Sequence, residues 1–164
     1  GDWGKRLGKD NIINRGISGD VAMGIYDRLH QILPGKPKQI FLLIGVNDIS
    51  HDLSTDSIVH MIEKNVTRIQ RESPETKLYL QSLLPIDESF NRYKKLTNKT
   101  YQIPEINDRL KALAKEKKID FIDLYPLFTE KGTHVLRKEL TFDGLHLKEE
   151  GYKIWVDAIK KKMK

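Results

Sequence analysis

The sequence predicts an α/β protein, a parallel sheet under helical cover, and three observations carry that expectation. Short β-branched runs alternate with segments of three-to-four apolar spacing, a succession that demands right-handed crossover connections. Residues 39–45 (QIFLLIG) form an unbroken apolar run, as a strand covered on both faces requires. At 164 residues with 38% hydrophobic content, the chain suits a single domain of residues 1–164, with no repeat and no low-complexity linker.

Each element follows from its own residues. Asn11-Ile12-Ile13-Asn14 reads as a short strand, and a helix from about Asp20 is marked by Val21, Ile25, Leu29 and Ile32 until Pro34-Gly35-Lys36-Pro37 closes it. After the 39–45 strand, a helix over 55–71 places Ile58, Ile62, Val66 and Ile69 on one side, with Ser54 or Thr55 as its cap and Ser73-Pro74 at its end. Residues 77–84 form the next strand, stopped by Pro85; the polar stretch 87–100 is a long loop or ragged helix start. Ile103, Ile106, Leu110, Leu113 and Ala114 mark a third helix, residues 119–124 a further strand, and 125–147 a loop. The helix over 148–162 turns Tyr152, Trp155, Val156 and Ile159 inward.

Composition narrows the chemistry. With no cysteine, disulfides, thiolate zinc sites and a cysteine nucleophile are excluded, so any metal would bind through histidine and oxygen. Mean hydropathy is −0.52, and no apolar run approaches the roughly 18 residues of a membrane span. Lys and Arg number 29 against 23 Asp and Glu, a net +6, yet Lys160, Lys161, Lys162 and Lys164 supply four of those charges within the last five residues. A lysine-rich helix end complements the helix dipole, so no nucleic-acid partner is expected. The opening Gly1-Asp2-Trp3 has no initiator methionine and no leader-like apolar region.

In open parallel sheets, ligands bind beyond the carboxyl ends of the strands. Three segments rich in chemistry fall there: Asn14-Arg15-Gly16-Ile17-Ser18-Gly19-Asp20, Gly45-Val46-Asn47-Asp48, and Asp143-Gly144-Leu145-His146 ahead of the last helix. A glycine turn offers backbone N–H groups to an anion, an asparagine adds a side-chain N–H, and a carboxylate three residues before a histidine can lie on the same side of one turn. Together they suit an oxyanion hole, Gly19 and Asn47, and a base with its orienting acid, His146 and Asp143. Each also has a plainer reading: strand-to-helix geometry for the glycines, a cap or turn for Asn47, a cap for Asp143. Asp48, His51 and Asp52 share one hydrophilic loop and read as solvated rather than metal-binding. His30 and His60 fall in helices at the surface, and His134 precedes the Asp143 segment, where it could line a substrate mouth. Arg15 and Arg28 read as structural pairs, Ser50 and Ser82 as structural.

With those segments in this order and spacing, the sequence resembles the GDSL/SGNH hydrolase superfamily over essentially its whole length, near the branch of platelet-activating-factor acetylhydrolase-like and bacterial carbohydrate esterases. The family's second block corresponds to residues 14–20 with its glycine at Gly19, its third to 45–48 with its asparagine at Asn47, and its fifth to Asp143-Gly144-Leu145-His146, followed by Leu147 and Gly151-Tyr152. The resemblance implies a flavodoxin-like three-layer α/β/α sandwich on a five-stranded parallel sheet. It also implies acyl transfer through a serine, with His146 as base, Asp143 as its orienting acid, and Gly19 and Asn47 as oxyanion donors, without metal or cofactor. The expected substrate is a small-molecule or carbohydrate ester with a short acyl group, most naturally acetyl. The family's Gly-Asp-Ser-like block, which leads into a sequence resembling Gly1-Asp2-Trp3, is not in this chain. The expectation is therefore a chain that starts just past its nucleophile, lacking the first, interior strand of the sheet. A protein without the serine would be a catalytically inactive carbohydrate-binding or interaction protein on the same scaffold. Ser18, beside Gly19, is the candidate substitute nucleophile, although the family places a backbone donor there.

Overall fold

The computed structural model describes residues 2–163; Gly1 of the opening motif and Lys164 of the lysine tail lie outside the described residues. A short helix α1 (Trp3–Leu7) opens the chain, capped by Asp2, whose carboxylate accepts from the Lys5 N–H at 3.0 Å. An irregular arm leads to α2 (Ala22–Arg28), then come strand β1 (Gln39–Leu42), the short helix α3 (Val46–Ser50), the long α4 (Thr55–Glu72) and β2 (Lys77–Gln81). Helix α5 (Gln102–Glu116), β3 (Asp120–Ile122), α6 (Tyr125–Phe128) and α7 (Glu149–Lys160) follow. The strands pair in parallel in the order β1-β2-β3, with Gln39 opposite Lys77 and Tyr79 opposite Asp120.

Side chains alternating along the strands separate the layers. Leu42, Leu78 and Leu80 join the core beneath α4 and α5, whereas Tyr79 and Ile122 point to the opposite layer with Phe128, Leu136 and Leu147. On that second face Phe41 stacks on Tyr79 at 4.5 Å, and α1 lies against α7 through Trp3 and Trp155 at 5.0 Å. In α4 the periodicity did what it predicts: Ile58, Ile62 and Val66 are wholly buried, each worth about 1.5–3 kcal/mol of apolar transfer. Ser54 caps the helix, accepting from the Ser57 N–H at 3.2 Å.

Five expectations change. The expected strand at residues 11–14 is irregular backbone: Ile13 is exposed, Asn14 Oδ1 takes the Gly16 N–H at 2.9 Å in a local turn, and no described strand pairs with it. The sheet therefore has three strands among the described residues, against four read from the sequence and five implied by the resemblance. The strands are also shorter than their apolar runs. β1 stops at Leu42 because Gly45, at φ 136°, turns the chain into α3. β2 stops at Gln81 because the Leu83 N–H and C=O bond the Asn107 side-chain amide, at 2.7 and 3.0 Å, in place of a neighbouring strand. Similarly, β3 spans only Asp120–Ile122. Finally, the helix expected from Asp20 onward shortens to α2 and two 3₁₀ turns, Leu29–Gln31 and Leu33–Gly35, while the loop over 125–147 contains α6.

Candidate active site

The candidate residues fall into two groups, of which the first follows the carboxyl end of β1 through Asn47. Immediately after β1, Gly45 leaves the strand in a conformation that disfavours any other residue, and an added Cβ would also press on Leu83 at 3.3 Å. This turn sets Asn47 and Asp48 at the start of α3. The Asn47 side-chain amide donates to the Asp20 carbonyl at 2.8 Å, which uses one of its two protons. Gly19, the residue before, has φ 78° and open space around it, so its requirement is conformational. Asn47 and the Gly19–Asp20 turn are thus joined.

The neighbouring residues are structural. Asp48 is buried and both its oxygens accept from the Ala22 N–H at 3.2 Å, capping α2 from a distance in sequence of 26 residues. Burial pushes its carboxyl above the ordinary range, against the opposing pull of that N–H. Asp20 pairs with Arg28 at 2.5 Å, and Arg28 also donates to the Arg15 carbonyl at 2.8 Å, fixing the arm. His51 bonds the Asn47 carbonyl and Asp52 pairs with Lys99; no three metal-type ligands cluster among the described residues. Ser82 Oγ is buried and accepts from the Leu124 and Tyr125 N–H groups at 2.8 and 2.9 Å, Ser50 donates to the Asn47 carbonyl, and Ser18 is exposed. His30 and His60 are exposed, and His134 meets the Tyr125 hydroxyl at 3.1 Å.

The second group is the turn from Thr141 to Leu147. Thr141 Oγ1 donates to the His146 carbonyl and accepts from the Gly144 N–H at 2.9 Å, closing the turn. Asp143 divides its carboxylate between two tasks. Oδ1 accepts from the Leu145 and His146 N–H groups at 3.0 and 2.7 Å, and Oδ2 lies 2.8 Å from His146 Nδ1. It therefore caps the turn and orients the imidazole at once. The Asp143 side chain is 7% exposed and that of His146 58%, so a buried carboxylate faces a solvent-accessible ring whose Nε2 has no partner among the described residues. Burial alone would raise the Asp143 carboxyl, but the Tyr93 hydroxyl, the His146 ring and the two backbone N–H groups outweigh it and hold it well below the ordinary range.

Tyr93 carries no site signal in the sequence. It lies in the polar 87–100 loop, 50 residues from Asp143, and its hydroxyl sits 2.6 Å from Asp143 Oδ2 and 2.9 Å from His146 Nδ1. Phe142, exposed, stacks against His146 with ring centroids 6.1 Å apart. The loop connects both groups: residues 94–96 pack on α3, which bears Asn47, while Asp87 donates its N–H to the Gly144 carbonyl at 2.9 Å.

A profile of the GDSL-like Lipase/Acylhydrolase family matches residues 1–154. Among solved structures, the chain is similar to a GDSL-like lipase from Bacteroides thetaiotaomicron, with 25% identity over 96% of this chain and 78% of that one and a TM-score of 0.86. It is also similar to a protein provisionally named a platelet activating factor from Streptococcus pneumonia, with 28% identity, 99% and 78% coverage and a TM-score of 0.88. Its fold is shared by a mutant of an acetyl-xylooligosaccharide esterase from Geobacillus, at 18% identity, 92% and 70% coverage and a TM-score of 0.74. A curated relative, an N-acylneuraminate cytidylyltransferase of Escherichia coli, is 23% identical over 94% of this chain, which spans 36% of that protein's length.

Proposed function

Because the chain belongs to the GDSL-like lipase/acylhydrolase family, we propose that it carries the acid–base pair and two oxyanion donors of a serine esterase acting on short acyl esters, acetyl foremost, of a carbohydrate or small lipid-like alcohol. The observation that carries this reading is the divided Asp143 carboxylate, which holds the exposed His146 ring by Nδ1 at 2.8 Å. The acetyl-xylooligosaccharide esterase that shares the fold supports the choice of acyl group and alcohol. The chemistry is balanced without metal or cofactor. A serine oxygen bonds the ester carbonyl carbon while His146 Nε2 takes its proton; Asp143 stabilises the imidazolium. The Gly19 N–H and the second Asn47 amide proton stabilise the oxyanion. Collapse expels the alcohol with the proton from His146, and water repeats the sequence on the acyl-enzyme. The serine this reading requires is that of the family's Gly-Asp-Ser-like block, with Ser18 as the rival; Ser50 and Ser82 are committed to backbone bonds.

The test is hydrolysis of p-nitrophenyl acetate and of acetylated xylo-oligosaccharide by the full-length gene product, its intact mass recorded. His146→Ala should abolish turnover, Asp143→Asn should lower it less, and His30, His51, His60 and His134 replaced singly by Ala should retain most of it. Loss of activity in Ser18→Ala would move the nucleophile into the arm. Full activity in His146→Ala with unchanged melting sinks the assignment, and no turnover of any ester by the parent favours the inactive binding protein.

A further inference from the structure

We propose that Tyr93 is a positioning residue of the Asp143–His146 pair, reaching it from the 87–100 loop to hold carboxylate and imidazole in the one hydrogen-bonded arrangement that leaves His146 Nε2 free as the base. The inference rests on the esterase reading of this site. Its geometry is a triangle: the Tyr93 hydroxyl is 2.6 Å from Asp143 Oδ2 and 2.9 Å from His146 Nδ1, and those two atoms are 2.8 Å apart.

Proton counting then decides the arrangement. An ionised carboxylate oxygen only accepts, so both neighbours of Oδ2 must present a proton to it. Tyr93 donates its phenolic hydrogen, and Nδ1 carries the imidazole hydrogen, which the phenolic oxygen also faces. The alternative tautomer, with Nε2 protonated and a bare Nδ1, would set its lone pair against Oδ2 and is disfavoured. The groups around the phenol agree. Burial and the Asp143 carboxylate raise the Tyr93 hydroxyl above its ordinary value, with Arg92 pulling the other way, so the phenol keeps its proton at neutral pH. Asp87 and Glu88 line the same small hollow as Arg92, Tyr93 and Asp143.

The loop is built to hold this position. Leu96 is 4% exposed and joins the core on the α4 side. Lys99 pairs with Asp52 just past α3, and Glu88 accepts from the Asn98 N–H at 2.9 Å. At the other end the backbone lies directly on the turn: a Cβ at Gly144 would come within 2.4 Å of the Asp87 carbonyl oxygen. A tyrosine that served packing alone would require neither of the two hydroxyl contacts to Asp143 and His146.

Nuclear magnetic resonance of the 164-residue chain tests this without reference to turnover. Long-range imidazole ¹H–¹⁵N spectra of the uncharged ring should show His146 with Nδ1 protonated and Nε2 bare. In Tyr93→Phe, which retains the ring, the His146 Nδ1 resonance should shift as it loses the phenolic oxygen, and the Asp143 carboxyl carbon should titrate at higher pH than in the parent. Should Tyr93→Phe lose its folded amide spectrum, Asp143→Asn reads the same contact from the other side: the Tyr93 ring carbon bearing oxygen should then titrate at lower pH. Unchanged signals in these comparisons overturn the proposal. In the complete enzyme, Tyr93→Phe should lower kcat about 10-fold with KM held, the scale of one hydrogen bond to a charged group; an unaltered kcat also overturns it. If no ester is hydrolysed by the parent, the esterase reading fails while the spectra still decide the role of Tyr93.

Discussion

Asp143 shows how one side chain joins stability to chemistry. Its carboxyl is held below the ordinary range because the bonds it accepts outweigh its burial, so its contribution to stability is present above the unfolded value of about 3.9 and is lost as pH falls through the folded value. Asp143→Asn should therefore be less stable than the parent at neutral pH, and the gap in urea midpoint should narrow from about pH 5 downward. Asp48, raised by burial, contributes in the opposite sense, and comparison with Asp143→Asn isolates the one group. A gap that stays constant down to pH 2 would contradict the coupling. Asn47 is also bound into the fold, through the Asp20 carbonyl, so Asn47→Ala should cost about 1 kcal/mol of stability. Its main effect should be kcat lower by about 10² to 10³ with KM little changed, the usual loss for one oxyanion donor. Equal turnover of an acetate ester by variant and parent would leave Asn47 a turn residue.

Among the elements, the 87–100 loop and the 141–147 turn form one unit, and Gly144 is the joint. At φ 88° with a backbone oxygen 2.4 Å from where a Cβ would sit, it tolerates no side chain unless the Asp87 segment moves, and strain of this kind costs about 1–3 kcal/mol. Gly144→Ala should drop the Tm by roughly 5 °C or more and displace Tyr93, so that the His146 resonances shift although the substitution removes neither side chain. A melting curve and imidazole spectrum matching the parent would show that the two segments are not coupled. The helices were legible because their apolar spacing survives any packing: α4 and α5 bury the residues their periodicity selects, Ile58, Ile62, Ile106 and Leu110 among them. The loop was not legible, because nothing in Asn91-Arg92-Tyr93-Lys94-Lys95 distinguishes a tyrosine aimed at a carboxylate from one in a solvated stretch.

Across the molecule the sheet sets the order of protection. β2 is paired on both sides and β1 with β2 alone among the described strands, so amides of β2 should exchange with solvent more slowly than the β1 amides that face away from it. Hydrogen exchange on the 164-residue chain checks this. Equal protection on both faces of β1 would mean that the outer edge is covered, as by the arm over residues 9–20.

The sequence alone determined the α/β class, the helical cores and the three segments that carry the candidate site, because periodicity and residue type are local properties. It also implied the pairing of Asp143 with His146, three residues apart on one turn. Only the tertiary structure decided where strands end and which contacts join distant segments. Residues 11–14 read as a strand but are irregular backbone, and β2 ends where the Asn107 amide takes over its backbone bonds. Asn47 meets Asp20 across 27 residues and Tyr93 meets Asp143 across 50. Such contacts depend on hydrogen-bond partners supplied by other elements, and no local pattern encodes which partner will arrive.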